Sequence, residues 1–401
     1  MKVDCLEKAM DIPPISFNSN PLDWQPTVEG NTQFALALYE KLRTEDGNLC
    51  FSPYSISSAL GMTYAGARGG TEAQMAQALH FTEQTETHRA FAQLRARMEE
   101  IDRADVNNLR IANRLWPHQR YPFLQSFLDI CQEHYAATLV PMDYNEPETA
   151  RQIINDWVAQ ETNEKIQDLL PSGLLDELTR LVLTNAVYFK GNWDSQFDKA
   201  KTETAPFWIG PSESVDAPLM QQQQTTFPYA ETASLQIVEL PFAGDDLALV
   251  ILLPKERDRL QEVEESLSAS DLDRWLGQLR PREVDLCLPR FRVNSSFRLD
   301  SALRTLGMVD AFDDAKADFS GMDGRSQWLY IAAVLHQAYL EANEEGAEAA
   351  AATAVVMKFR SMPPPPLVVR ADHPFLFLLR EKQTGSLLFM GRVINPVAQS
   401  D

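Results

Sequence analysis

The chain of 401 residues contains few cysteines, and their positions suggest neither a metal site nor a disulfide framework. The four thiols, Cys5, Cys50, Cys131 and Cys287, are scattered, without a CxxC pair or a Cys/His spacing that suits zinc. We therefore expect isolated thiols and no bound metal. A chain of this length buries about three quarters of its unfolded surface, so it needs no covalent staple.

Long apolar runs and positive charge are also scarce. No apolar run reaches the ~18 residues of a membrane span. Lys and Arg number 36 against 57 Asp and Glu, a net charge of −21 with a pI near 4.7. Because such a chain repels phosphate backbones and anionic lipids, we expect no nucleic-acid partner and no membrane partner.

The N-terminal residues resemble no signal peptide. Asp4, Glu7 and Lys8 occupy the stretch where a signal peptide has its apolar region. The localisation is therefore unknown from the sequence. It is either cytoplasmic, or secreted with a leader that this sequence does not include.

Catalytic motifs are missing as well. None of the six histidines lies in HExxH, and the sequence has no GxSxG, no GxxxxGK[ST] and no GxGxxG. The acidic stretch 310–321 has the wrong spacing for an EF-hand loop. The absence of these motifs favours a protein that is not an enzyme and has no cofactor, without excluding an enzyme.

Helical patterns fill the first half of the chain and strand patterns the second, which indicates an α+β fold. Residues 1–28 lack periodicity and are predicted to form a loosely held tail. Since no linker divides the rest, 29–398 is predicted to be a single domain. Predicted helices are 31–42, 52–65, 71–80, 87–103, 152–160 and 173–178. Predicted strands are 181–191, 235–240, 247–254, 284–293, 328–342 and a hairpin over 375–393.

The segment EEGAEAAAATAVVMKFR, residues 344–360, gives conflicting signals. Its alanines and its leading glutamates favour a helix. Its odd-numbered positions from 347 to 359 carry no charge, however, while Glu348, Lys358 and Arg360 are all even. This alternation suits a strand with one buried face. Four prolines at 363–366 then form a stiff spacer. A segment compatible with both states suggests a conformational switch.

Seven stretches, in order, resemble the serpin family over nearly the whole chain, from Asn31 to Pro396. They are NLCFSPYSISSALGMTYAGARGGTEAQM (48–75), LVLTNAVYFKGNW (181–193), VELPFAGDDLALVILLP (238–254), LPRF (288–291), ADFSGM (317–322), LHQAYLEANEEGAEAAAATA (335–354) and HPFLFLLREKQTGSLLFMGRVINP (373–396).

The resemblance implies a metastable fold of three β-sheets and about nine helices, with an exposed reactive-centre loop at about 344–370. Such a protein inhibits serine proteases as a suicide substrate. The protease cleaves the loop and forms an acyl-enzyme, and the loop then inserts as a strand into the central sheet and traps the protease.

The resemblance also implies where the loop bends and where it is cut. By the family's spacing the reactive bond is Arg360–Ser361, an Arg-Ser bond similar to that of antithrombin-like members, with Lys358 as a second cleavage point. Arg360 suits the carboxylate of a trypsin-like specificity pocket, so we expect a covalent complex with such a protease and a monomeric inhibitor. The implied hinge consists of Glu344, Glu345, Gly346, Ala347, Glu348, Ala349, Ala350, Ala351, Ala352, Thr353 and Ala354.

Two further clusters follow from the resemblance. Ser52, Ser55, Asn185 and His336 match the shutter, the family's hydrogen-bonded cluster under the sheet. The residues alone favour a plainer interpretation, in which His336 is an ordinary core histidine and Asn185 a satisfied buried amide. The breach, where the loop first enters the sheet, is matched by Trp193, Arg290 and Glu344.

One further expectation and one alternative function remain. Residues 83–105 hold four arginines against six acids, so we expect no heparin site there. A non-inhibitory serpin, acting as carrier or chaperone, is the alternative to an inhibitor. Small hinge residues favour the inhibitor, because bulky or charged inward groups stall insertion.

Overall fold

The structure, a computed structural model, describes residues 23–104, 106–137, 139–326, 329–344 and 367–398. Its α-helices are α1 Gln25–Leu42, α2 Pro53–Tyr64, α3 Gly69–Leu79, α4 Gln84–Arg103, α5 Gln125–Tyr135, α6 Pro147–Glu161, α7 Leu260–Ser266, α8 Ala269–Gly277, α9 Asp300–Thr305 and α10 Ser320–Asp323. None of these described helices is long and apolar enough to cross a membrane.

The strands concentrate in the second half of the chain, as expected. They are β1 Leu49–Phe51, β2 Asn108–Pro117, β3 Leu181–Lys190, β4 Glu203–Trp208, β5 Ser214–Glu231, β6 Leu235–Pro241, β7 Leu247–Pro254, β8 Arg280–Pro289, β9 Phe291–Arg298, β10 Leu335–Ala342, β11 Leu367–Arg370, β12 Phe375–Glu381 and β13 Leu387–Val393. The predicted α+β class is confirmed.

A four-stranded sheet has the order β2-β3-β10-β9. Its outer ladders are antiparallel and long: β2 and β3 share ten residue pairs, and β10 and β9 share eight. The central pair is different, because β3 and β10 run parallel and share only five pairs, from Ala186 with Gln337 to Lys190 with Glu341. Parallel pairing is slightly weaker per residue, so this seam is the weakest ladder of the sheet.

The second sheet has nine strands, and the 18-residue strand β5 runs through it. A register shift between Gln222 and Thr225 separates the part of β5 that pairs with β4 from the part that pairs with β6. The resemblance implied three sheets, whereas the described strands form two, because β5 joins its neighbours on both sides of this shift into one sheet. Strand β11 lies at one edge, parallel to β8, so the chain between β10 and β11 passes from one sheet to the other.

Helix α2 lies in the core beneath the four-stranded sheet. Ser52 caps its N-terminus by accepting a hydrogen bond from the Ser55 N–H at 3.2 Å, and Pro53 occupies the first turn. Every residue of the helix except Ser58 is buried, as expected for a helix that is apolar or small on all sides. This burial fixes both serines under the strands.

Some predicted elements differ from the observed ones. Helix α1 begins at Gln25, inside the predicted tail, whose residues 1–22 lie outside the described part of the chain. The predicted helix 173–178 is wrong: it is a turn in which Asp176 accepts hydrogen bonds from the Leu178 N–H and the Thr179 hydroxyl. Such local bonds compete with helix formation.

Two observed strand regions differ in extent from the predicted ones. The predicted strand 284–293 is two strands, because the chain passes from β8 to β9 at Arg290 and thus from one sheet to the other. The prediction for 328–342 holds only from Leu335 onward.

Candidate functional site

The first part of the site is the breach, at the end of β10 where the described chain stops before β11. The indole N–H of Trp193 donates to the carbonyl of Asn343 at 2.7 Å. The Trp193 ring is stacked on Phe242, with centroids 4.5 Å apart and planes 13° from parallel, and Phe197 meets it edge-on. This buried aromatic cluster fixes the end of β10.

Glu344, the next residue, is held by charge. Arg290 donates to it twice, from Nε to Oε2 at 3.0 Å and from Nη2 to Oε1 at 2.6 Å, and the Thr202 hydroxyl adds a bond of 2.7 Å. Burial alone would raise the pKa of Glu344, but the hydrogen bonds from Arg290 and Thr202 outweigh it and leave the pKa below its usual value. The carboxylate is therefore ionised at neutral pH.

The predicted breach residues thus hold two consecutive residues, Trp193 bonding Asn343 and Arg290 bonding Glu344. The Glu344 side chain is 2% exposed while that of Arg290 is 50% exposed, so water screens one partner only. Thr202, at the end of a short turn before β4, completes the carboxylate's partners and was not predicted. Because its residue type is common in turns, no sequence signal marked it.

The second part of the site is the shutter, centred on His336. Its Nε2 accepts a hydrogen bond from the Ser52 N–H at 3.0 Å, so the ring proton is on Nδ1, which donates to the Asn185 side-chain oxygen. The ring is fully buried, and burial lowers its pKa to about 3. His336 is therefore a neutral imidazole of fixed tautomer that joins β10, β3 and the start of α2.

Asn185 extends the network toward α2 and β2. Its amide donates to the Ser55 hydroxyl and to the side-chain oxygen of Asn113, both at 2.7 Å. The Ser55 hydroxyl donates to the same Asn113 oxygen at 3.2 Å. The structure brings all four predicted shutter residues together and adds Asn113. The sequence analysis did not identify Asn113, because its place in the network depends on strand pairing: Asn113 stands directly opposite Asn185 in the β2–β3 register.

The shutter lies at the end of the β3–β10 seam. The parallel ladder starts at Ala186 and Gln337, one residue beyond Asn185 and His336 on each strand. Below that point Leu181–Asn185 pair with β2 on one side and with no described strand on the other. A strand entering between β3 and β10 has to part the five pairs and the His336–Asn185 bond together.

Most of the predicted hinge and the whole predicted reactive bond lie outside the described residues. Of the predicted hinge, only Glu344 is among the described residues. The remaining predicted positions lie outside them: Glu345, Gly346, Ala347, Glu348, Ala349, Ala350, Ala351, Ala352, Thr353, Ala354, Lys358, Arg360 and Ser361.

No other reactive group competes with this site among the described residues. No group of three or more His, Cys, Asp or Glu is placed to hold a metal there. Cys50, Cys131 and Cys287 are buried free thiols, and Cys5 lies outside the described part. Burial raises the pKa of Cys131 to about 12 and that of Cys287 to about 11, so neither is a ready thiolate at neutral pH.

Helix α4 carries the arginines considered for heparin. Arg95 pairs with Glu99 within the helix, and Arg103 pairs with the same Glu99 at 3.4 Å. Arg97 bonds Glu381, whose side chain is fully buried, at 3.1 Å. Three of the four arginines therefore have a neighbouring carboxylate, while Arg89 is exposed on the same helix, and the absence of a heparin site stays a prediction.

The four-stranded sheet thus has one short parallel ladder at its centre, with the shutter at one end of it and the breach at the other. A family model described as Serpin (serine protease inhibitor) matches residues 29–396. Human Serpin B3 is 41% identical over 392 residues, which cover 92% of this chain and 99% of that protein. Human leukocyte elastase inhibitor is 40% identical over 376 residues, covering 91% and 98%.

Comparison with solved structures supports the same family assignment. Uncleaved ovalbumin superposes with a TM-score of 0.82 at 29% identity, covering 92% of this chain and 100% of that one. Serpin48 of the insect Tenebrio molitor gives 0.80 at 30% identity, covering 94% and 100%. The chain therefore belongs to the serpin family, and the expected serpin fold is confirmed.

Proposed function

We propose that this serpin is a suicide-substrate inhibitor of a trypsin-like serine protease, cleaved between Arg360 and Ser361. The observation that carries the proposal is the seam between β3 and β10. It is parallel, five pairs long, and open below the shutter, between two antiparallel ladders of ten and eight pairs. It is the place where this sheet accepts another strand at least cost.

The chemistry is that of an interrupted proteolysis. The protease serine attacks the Arg360 carbonyl, the peptide bond breaks, and the new amine of Ser361 leaves with the C-terminal segment. An ester between Arg360 and the protease remains. The freed loop then enters the sheet from Glu344, and the attached protease moves with it before water can hydrolyse the ester.

Geometry favours the inserted state. A strand that continues from Glu344 and turns back between β3 and β10 runs antiparallel to both. It replaces five parallel pairs with two antiparallel ladders, which are the more stable kind. About 14 residues at ~3.3 Å each give ~46 Å, longer than the ten residues of β3.

Specificity resides in the loop sequence and not in the fold. A relative at 40% identity is named an elastase inhibitor, so a shared sheet does not fix the target protease. Arg360 directs this chain to pockets that hold a carboxylate. Cleavage after Lys358 would produce some protein that is cut without forming a complex.

The proposal is tested by mixing the intact protein with trypsin, followed by denaturing electrophoresis and mass analysis of the products. We expect a covalent complex stable in SDS and a released peptide of residues 361–401. Arg360→Ala should abolish this complex, and Arg370→Ala, which changes an arginine of β11, should leave it intact. Complete cleavage at Arg360 with trypsin still active contradicts inhibition and leaves the carrier or chaperone function.

The protein is further proposed to act as a monomer, since the mechanism needs only one loop and one sheet. Gel filtration with light scattering of the protein alone should give a mass near 45.2 kDa. A dimer mass would contradict this part of the proposal without affecting the inhibition assay.

A further inference from the structure

A cavity of about 240 Å³ lies below the seam, where β3 and the chain leading to β10 diverge. Leu181 and Leu183 of β3 form one wall, and Ile331 and Leu335 form the other. Leu60 of α2 also lines it. The interior is therefore mostly aliphatic. Its volume is below the ~300 Å³ at which pockets for drug-sized molecules begin, which limits it to a compact ligand.

The mouth of this cavity is unusually apolar for a protein surface. Leu178 is 75% exposed and Tyr330 is 51% exposed, and both line the cavity. Large apolar side chains that stay in water beside a pocket mark ligand sites more often than isolated exposed residues do. Covering these two side chains is a source of binding free energy.

One cation stands at the same mouth. Nη1 of Arg180 donates to the carbonyls of Glu177 and Thr179, at 2.9 and 3.0 Å. Within the described part of the chain, no carboxylate forms an ion pair with Arg180. Asp176, the other charged residue of the lining, accepts hydrogen bonds from its own turn. Arg180 therefore retains charge and N–H groups for an anion.

We propose that this cavity binds a medium-chain carboxylate, with the alkyl chain among the leucines and the carboxylate on Arg180. The aliphatic walls, the small volume and the single cation at the mouth all select this chemistry. A polar anion such as phosphate would leave the walls unfilled, and a long lipid would exceed the volume.

Occupancy would also affect inhibition, an inference that rests on the proposed function. A strand inserted from Glu344 passes the level of Leu183 and Leu335 and takes up the cavity's space. The ligand then binds only the uninserted form and stabilises it by mass action. Slower insertion gives deacylation more time, so more inhibitor is consumed as substrate.

The first experiment is calorimetric titration of the intact protein with octanoate, compared with 1-octanol. We expect saturable binding of octanoate at one site and affinity for octanol weaker by about tenfold, the loss of one charge-assisted hydrogen bond. Arg180→Gln should weaken octanoate by a similar factor. Arg120→Gln, at an exposed arginine outside the lining, should not.

A second variant tests the contribution of the cavity volume separately from that of the Arg180 charge. Ala333→Leu places a larger side chain on the lining while Arg180 remains, and we expect it to abolish binding with an unchanged melting temperature. Undetectable octanoate binding, or equal binding of octanol and octanoate, overturns the proposal. So does binding that survives Ala333→Leu.

The coupling is read from the trypsin assay. Saturating octanoate should raise several-fold the amount of wild-type inhibitor consumed per trypsin, and should not do so for Arg180→Gln. Binding without this change overturns the coupling and leaves the site standing. If no covalent complex forms even without octanoate, the proposed function fails while calorimetry still decides the site.

Discussion

His336 shows how one buried side chain can set the behaviour of the sheet. It accepts from the Ser52 backbone and donates to Asn185, so both ring nitrogens are used by neutral imidazole. A proton on Nε2 would face an N–H donor and would break the contact to α2. The sequence marked this residue only through the family resemblance, since burial and tautomer depend on partners 284 and 151 positions away.

The pH dependence of stability follows from that environment. The unfolded chain binds a proton at His336 below its ordinary pKa near 6.5, whereas burial lowers the folded pKa to about 3. Stability should therefore fall as pH drops through this window, by about 2–3 kcal/mol at pH 4.5. Urea unfolding between pH 7.5 and 4.5 measures this loss.

The control for this prediction is His336→Gln, which keeps a donor and an acceptor but does not titrate in this range. We expect its stability to be lower at pH 7.5 and to decline less steeply toward pH 4.5. Parallel pH profiles for the two proteins would show that other groups govern the acid sensitivity.

At the scale of elements, the β3–β10 seam and the segment after Glu344 are complementary as a sheet and the strand that enters it. Below Asn185, residues 181–184 of β3 pair with no described strand on the β10 side, and the segment after Glu344 has uncharged residues at its odd-numbered positions from 347 to 359. Strand periodicity predicts that this odd face turns inward on insertion. Neighbouring positions should then differ sharply in their tolerance of charge.

Ala351→Arg and Ala352→Arg form a matched pair for this prediction. At position 351 the arginine would be buried under the sheet, at a cost of several kcal/mol. We expect Ala351→Arg to be cleaved by trypsin with at least a tenfold lower yield of covalent complex. Ala352→Arg should inhibit nearly as well as the wild type. Complex yield on denaturing gels, corrected for cleavage at the new arginine, distinguishes them, and equal yields would refute the assigned inward face.

For the whole molecule, the proposed mechanism requires that the cleaved form be more stable than the intact one. An inserted strand adds on the order of ten ladder hydrogen bonds at about 1 kcal/mol each. At roughly 2 °C per kcal/mol for a protein of this size, the melting temperature should rise by roughly 20 °C. Circular dichroism of the protein before and after limited cleavage at Arg360 tests this.

Ala351→Arg cleaved in the same way is the control, because its loop is cut but its insertion is opposed. We expect its melting temperature to stay near that of the intact protein. A cleaved wild type that melts at the intact temperature would mean that the seam does not open.

The sequence by itself determined the class of this protein, since its helices, its strands and seven serpin-like stretches are readable from local pattern and order. The reactive bond and the hinge remain predictions, and they come from the serpin resemblance, which carries the family's spacing onto these residues. Only the tertiary structure decided how the site is held: that Asn113 joins the shutter, that Thr202 completes the breach, and that the seam is parallel and short. Those facts depend on strand register and on contacts between residues far apart in the chain, which no local pattern encodes. The cavity beside Arg180 has the same origin, because it exists only where two distant segments diverge.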